Sequence, residues 1–134
     1  MIIDSSAILA IAFQEPEAER FATAIAEAPE RAISAVNWLE VMMVVEARNG
    51  EESADDVLLI LEQLGVETLP FTAEQAHEAR EGWRRFRKGR HPAALNLGDC
   101  CAYAASIVTA RPLLFKGKDF PQTGVNPAHA DQSP

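Results

Sequence analysis

The sequence predicts an α/β fold with a mostly parallel sheet and helices on both faces. Two observations carry this. Short apolar runs of strand length (MIID, RAIS, VETLPF and PLLF) alternate with longer stretches of helical periodicity. Nearly every junction carries a capping or breaking residue. A chain of 134 residues, 48% hydrophobic and 24% charged, is large enough to bury one core.

MIID is too short for a helix and reads as a buried strand. SSAILAIAFQ is a helix starting at Ser5 or Ser6 and broken at Glu15-Pro16. Pro16 suits the first turn of the next helix, PEAERFATAIAEA. After the strand RAIS, Ser34 caps a helix over AVNWLEVMMVVEAR that ends at Asn49-Gly50. SADDVLLILEQL is a fourth helix, stopped by Gly65, and VETLPF a third strand. Thr72 and Gln75 have capping-box spacing ahead of the helix TAEQAHEAREGWRRFRKG, which His91-Pro92 interrupts. Asn96 caps the helix of LNLGDCCAYA. PLLF is the fourth strand and KGKDF the loop after it. From about residue 121 the tail, rich in proline and polar residues, is expected to be partly extended. No repeat or linker divides the chain, so residues 1–134 read as one domain.

No apolar run is long enough to span a bilayer, and MIIDSS lacks the pattern of a signal peptide. The two cysteines, Cys100 and Cys101, are adjacent in a helix, a geometry that disfavours a mutual disulfide, and no spaced Cys/His set suits zinc. A reducing cytoplasm is the expected setting. The histidines His77, His91 and His129 are scattered and read as surface residues. Net charge is −8 and pI about 4.8. The charge is polarised, however. HEAREGWRRFRKGRH holds 6 of the 12 basic residues (Arg80, Arg84, Arg85, Arg87, Lys88 and Arg90) against only Glu78 and Glu81.

Four carboxylates fall in apolar surroundings on separate segments. Asp4 ends the first strand, Glu40 lies within NWLEVMMVV, Asp99 opens its helix, and Asp119 follows the fourth strand. In open α/β folds, ligands bind beyond the carboxyl ends of the strands, where these acids belong. Each has an ordinary reading: Asp4 and Asp119 as turn residues, Glu40 as a partner of Arg48, Asp99 as a helix cap. Capping contributes only about 0.3–1 kcal/mol at an exposed terminus, whereas burying an unpaired carboxylate costs several kcal/mol. Four converging carboxylates repel one another unless a cation lies between them. Oxygen-only ligands select Mg²⁺, with Mn²⁺ as an alternative, and such an ion suits phosphodiester cleavage by an activated water. Most other acids, including Glu15, Glu17 and Glu19, read as solvated helix faces.

At these residues the chain resembles the PIN-domain ribonucleases, most closely the VapC-like toxins of toxin–antitoxin pairs. The carriers are MIIDSSAILAI, SAVNWLEVMMVV, LNLGDCCAYA and LLFKGKDF, in matching order and spacing over nearly the whole chain. The resemblance implies a three-layer α/β/α PIN-like domain, a homodimer, Mg²⁺-dependent RNA cleavage and neutralisation by a cognate antitoxin. The family's metal-site acids fall on Asp4, Glu40, Asp99 and Asp119, and its hydroxyl support for the first aspartate on Ser6. Asn37 stands where the family often has a hydroxyl residue, and Lys118 where it commonly has asparagine.

With that reading, Arg84, Arg85, Arg87, Lys88 and Arg90 can hold RNA phosphates, while Trp83 or Phe86 could stack a base. At helical spacing both aromatics are first expected in the core or a dimer contact, and the charges could equally be a solvated face or an antitoxin dock. Trp38, Met42, Met43 and Val45 are likewise expected in the core first. Two alternatives belong to other classes: a non-catalytic PIN-like module that binds RNA or protein, and a small metal-dependent phosphatase using Asp4 as nucleophile. Ser5-Ser6 after Asp4 removes the second acid such a phosphatase motif usually carries.

Overall fold

The computed structural model describes residues 1–87, 91, 93–117 and 120–128. Four parallel strands form one sheet: β1 (Ile2–Ile3), β2 (Ala32–Ser34), β3 (Glu67–Leu69) and β4 (Leu113–Leu114), in the order β3-β2-β1-β4. The helices are α1 (Ser5–Ala12), α2 (Ala18–Glu27), α3 (Ala35–Asn49), α4 (Glu51–Gln63), α5 (Ala73–Phe86) and α6 (Leu97–Thr109).

Alternation along the strands builds three layers, because successive side chains point to opposite faces. Ile2, Ala32 and Leu113 pack on the side of α5 and α6, with Leu95, Cys100 and Tyr103. Ile3, Ile33 and Leu114 pack on the other, with Ile8, Phe21, Val41 and Leu61 from α1 to α4. All six strand residues are fully buried. Two features close the layers. A Cβ at Gly82 would stand 2.7 Å from the Tyr103 ring, so glycine is what lets α5 lie against α6. Arg31 donates to the carbonyls of Ala26 and Ala28 at the end of α2 and of Leu64 at the end of α4, placing a cation where both helix dipoles are negative.

Several expected boundaries move. The α2 helix begins at Ala18, so Pro16 lies in the turn before it and not in its first turn. The α4 helix starts at Glu51, two residues early, because Gly50, with φ +91°, lets the chain turn straight from α3 into it. The α5 helix stops at Phe86: Arg87 is extended, and the Leu95 N–H bonds the Phe86 carbonyl. Within the tail, Phe120–Thr123 is a short 3-10 helix anchored by buried Phe120, whose ring lies 5.1 Å from that of Phe115.

The partition of large apolar side chains also differs from expectation. Val45 is core, while Trp38 and Met42 only pack against it; Met43 is 61% exposed. Phe86 packs on the core beside Tyr103, but Trp83 is 47% exposed. His77 is exposed, whereas His91 is a structural residue that accepts the Ala93 N–H and meets the Phe86 ring edge-on. His129, Lys88, Arg90, Lys118 and Asp119 lie outside the described residues.

Candidate acidic site at the carboxyl edge of the sheet

Strands β1 and β4 are adjacent, and β2 flanks β1 on its other side. The chain therefore winds from β1 to one side through β2 and β3 and returns to β4 on the other, and such a switch point is where open parallel sheets leave a crevice at their carboxyl ends. Asp4 stands there. It is the N-cap of α1, and its Oδ2 accepts the Ser6 N–H at 3.0 Å and the Ser6 hydroxyl at 2.5 Å. The ordinary reading of Asp4 as a turn residue is thus partly right, since the carboxylate does cap a helix. Its other oxygen is different: Oδ1 is buried and has no hydrogen-bond partner among the described residues. Burial foremost pushes the Asp4 pKa up to about 7. The Ser6 hydroxyl counters this, and the negative charges of Asp99 and Glu40 add to the rise.

Asp99 sits in the first turn of α6 and forms a complete capping box. Its Oδ2 accepts the Asn96 N–H at 3.1 Å while the Asn96 side chain accepts the Asp99 N–H at 2.9 Å. The cap and the acidic cluster are therefore not alternatives, because one carboxylate serves the helix terminus and still acts on Asp4. Glu40, on α3, reaches the same place. A Cβ built on Gly98 would lie 2.6 and 2.7 Å from its two carboxylate oxygens, so the Glu40 head occupies the notch that glycine leaves open.

Asn37 fastens the three helices that carry these acids. Fully buried, its Nδ2 donates to Ser5 Oγ of α1 and to the Gly98 carbonyl of α6, each at 3.0 Å. Ser5, Gly98 and Lys116 have site roles the sequence reading missed. Gly98 had a signal: a glycine inside a helix, beside a candidate ligand, where it costs stability. Glu15 and Glu17 are not simple solvated residues either, since both pair with Lys116.

Asp4, Glu40 and Asp99 thus share one end of the sheet, and Asp4 feels the charge of the other two. Among the described residues, no three acidic, cysteine or histidine side chains yet close round a single point. The four-acid convergence is incomplete there, and Asp119 lies outside those residues. A divalent cation nonetheless fits what is present. The donors are oxygens only, one of them a buried orphan, and the charges of Asp99 and Glu40 disfavour the ionised form of Asp4. The two thiols do not compete for a chemical role: burial and the nearby carboxylates push both up to about 11.

Two apolar grooves border the site and meet at Leu97, which is 76% exposed. One, of about 500 Å³, lies between α5 and α6 and is lined by Phe71, Arg80, Trp83 and Cys100. The other, of about 360 Å³, lies between α3 and α6 and is lined by Leu39, Glu40, Met43 and Val44. On the basic segment, Arg87 lies 4.4 Å over the Trp83 ring and Arg84 pairs with Glu81 at 3.5 Å. Arg85 is exposed.

Comparison with known proteins agrees with this arrangement. The PIN domain family model matches residues 1–126. The chain is 43% identical over 129 residues to a protein named Ribonuclease VapC from Mycolicibacterium smegmatis, covering 96% of this chain and all of the relative. It is 42% identical over 125 residues to Ribonuclease VapC30 of Mycobacterium tuberculosis, covering 93% and 95% of the two chains. Among solved structures, Mycobacterium tuberculosis VapC20, a toxin that cleaves the sarcin-ricin loop, superposes with a TM-score of 0.74 at 18% identity over 92% of this chain and 95% of that one. A toxin–antitoxin complex from Klebsiella pneumoniae gives 0.65 at 19% identity, over 89% and 88%. Full-length matches at this identity, on a three-layer fold with acids at the carboxyl edge of its sheet, place the chain in the PIN-domain family, among the VapC proteins.

Proposed function

We propose that the chain is a Mg²⁺-dependent endoribonuclease, with Mn²⁺ able to substitute, and that it acts as the toxin of a toxin–antitoxin pair. The observation that carries the reading is the buried Asp4 carboxylate, whose Oδ1 has no hydrogen-bond partner among the described residues and whose charge Asp99 and Glu40 oppose. Full-length relatives named ribonucleases support the substrate class. Asp4, Glu40 and Asp99, with Asp119 from the following loop, would hold the cation. When bound, such an ion activates water and offsets charge on a phosphate. Ser6 keeps Asp4 turned toward the site, and Asn37 keeps the first turn of α6 against α1. The phosphatase alternative is disfavoured because Asp4 is only 3% exposed and its Oδ2 is already committed to Ser6. A non-catalytic binding module has no use for an uncompensated buried carboxylate oxygen, which costs stability. The test is RNA cleavage with and without chelator. Activity should vanish in excess EDTA and return with Mg²⁺ or Mn²⁺; full activity in metal-free protein would overturn the assignment.

RNA would reach the site over the basic segment. Arg84, Arg85 and Arg87 would hold phosphates, and Trp83, which is exposed, would offer a stacking surface beside them. Lys88 and Arg90 continue the run in sequence. Replacing Arg84, Arg85 and Arg87 with alanine should weaken RNA binding and lower the slope of log K against log salt by about 2, near 0.7 for each lost phosphate contact to a single strand. An unchanged salt titration would return these residues to a solvated face or an antitoxin dock.

A cognate antitoxin is the expected partner, with apolar residues for the grooves on either side of Leu97 and a cation for the carboxylates between them. The exposed Met43 and Trp83 also suit a homodimer. No helix among the described residues is long and apolar enough to cross a membrane. Two buried free thiols agree with a cytoplasmic setting.

A further inference from the structure

Lys116, the first residue of KGKDF, is held at both ends. Its backbone N–H donates to Ser6 Oγ at 2.9 Å, a contact between residues 110 apart in sequence. Its ammonium pairs with the carboxylates of Glu15 and Glu17, the latter at 3.3 Å. Ser6 lies in the first turn of α1, while Glu15 and Glu17 lie beyond its last turn. Lys116 therefore ties the first turn of α1 to the connection between α1 and α2.

The chemistry at Ser6 gives this grip a consequence. A serine hydroxyl has one proton to donate and lone pairs to accept with. The Lys116 N–H occupies an acceptor position, and the proton goes to Asp4 Oδ2. The result is a directional chain, N–H to hydroxyl to carboxylate, whose links strengthen one another. Asp4 Oδ2 is held in this way, while Oδ1 has no hydrogen-bond partner among the described residues. Lys116 is followed by Gly117 at φ +109°, in a region that few residues other than glycine adopt. Lys116 lies past the end of β4 at Leu114, and among the described residues it is held by its N–H bond to Ser6 and by its side-chain anchor. Partly exposed ion pairs add little to global stability, which leaves placement of the loop as what this cluster does.

We infer that Lys116, clamped by Glu15 and Glu17, is a positioning residue for the acidic site: the clamp holds its own backbone so that its N–H locks the Ser6 hydroxyl onto Asp4. The inference rests on the ribonuclease reading for its effect on cleavage, but the lock itself is independent of it. Lys116→Met keeps the backbone N–H and most of the stem and removes the charge. Lys116→Arg restores the charge. Glu15→Gln/Glu17→Gln removes the clamp from the other side and guards against a fold defect peculiar to position 116.

Three measurements on the full chain decide it. In metal-free protein, amide exchange at Lys116 should quicken at least tenfold in Lys116→Met and in the double glutamine variant, and return toward wild type in Lys116→Arg. Mn²⁺ affinity, read from the free-ion electron spin resonance signal, should fall about 10–100-fold, as for other residues that orient a metal's ligands. The kcat for RNA should fall with it while KM stays level. In a Ser6→Ala background, Lys116→Met should add no further loss, since both act through one hydroxyl. Wild-type exchange and Mn²⁺ affinity in both clamp variants would overturn the inference, as would losses that add to those of Ser6→Ala. If wild type itself neither binds Mn²⁺ nor cleaves RNA, the ribonuclease reading fails, and the exchange experiment alone still accepts or rejects the lock.

Discussion

Asp4→Asn should remove RNA cleavage by more than a hundredfold and, in chelator, make the protein more stable above neutral pH. The first effect follows from losing a charged oxygen donor at the centre of the site, a larger loss than the roughly 10–100-fold typical of residues that only orient such donors. The second follows from the direction of the Asp4 shift. Its pKa in the fold, about 7, lies above its ordinary value of 3.8. Between those values the folded chain therefore holds more proton than the unfolded one, and stability falls as pH rises, by up to about 1.4 kcal/mol per pH unit from this group. The contribution of the neutral acid is fully present below pH 3.8 and is gone above about 7. Asparagine cannot ionise and caps a helix as well as aspartate does. In EDTA, the difference in melting temperature between variant and wild type should widen from pH 4 to 7 in favour of the variant, then level off. Added Mg²⁺ should reverse the order at pH 8, because the ion stabilises only the chain that binds it. Parallel melting curves for the two proteins across this range would show that Asp4 is not held at a cost.

Gly98→Ala should likewise give a site defect without a fold defect. The new methyl group would arrive 2.6 and 2.7 Å from the Glu40 carboxylate oxygens, well inside contact distance. Glu40 is the flexible end of a partly exposed side chain, so it swings aside at little cost. Alanine also favours the helix over glycine by up to about 1 kcal/mol. The Gly98 carbonyl that accepts from Asn37 is unaffected by the substitution. Melting temperature should hold or rise slightly, while cleavage falls about a hundredfold and Mn²⁺ binding weakens. Unchanged cleavage would show that Glu40 has no part in the site. A cooperative loss of fold would mean that the notch at Gly98 is structural packing.

The acids were legible before the fold because their environment is written locally. Asp4, Glu40 and Asp99 each stand among apolar neighbours, and a carboxylate there needs a reason that a solvated face does not supply. The strand–helix alternation was legible for a similar reason, since period and capping are local properties; α3 runs over the predicted residues and the Ser34 cap is in place. Other features were hidden because they depend on distance in space. Trp83 and Met43 have core-like spacing, yet exposure depends on which helix arrives to cover them, and among the described residues none does. The end of α5 was also misplaced, because Leu95, outside the helix, bonds Phe86 and draws the chain away.

By itself, then, the sequence determined an α/β chain with helices on both faces and the identity of its unusual acids, because periodicity, caps and local polarity depend on near neighbours. Only the tertiary structure decided which oxygen of Asp4 is held and which is left without a partner among the described residues, that the Glu40 carboxylate fills the notch at Gly98, and that a lysine at 116 bonds a serine at 6. The last of these depends on the parallel register of β1 beside β4, which sets segments more than a hundred residues apart within hydrogen-bond reach. No local pattern encodes that approach. It arises when both faces of the sheet are covered and the buried polar groups must find partners where the packing leaves them.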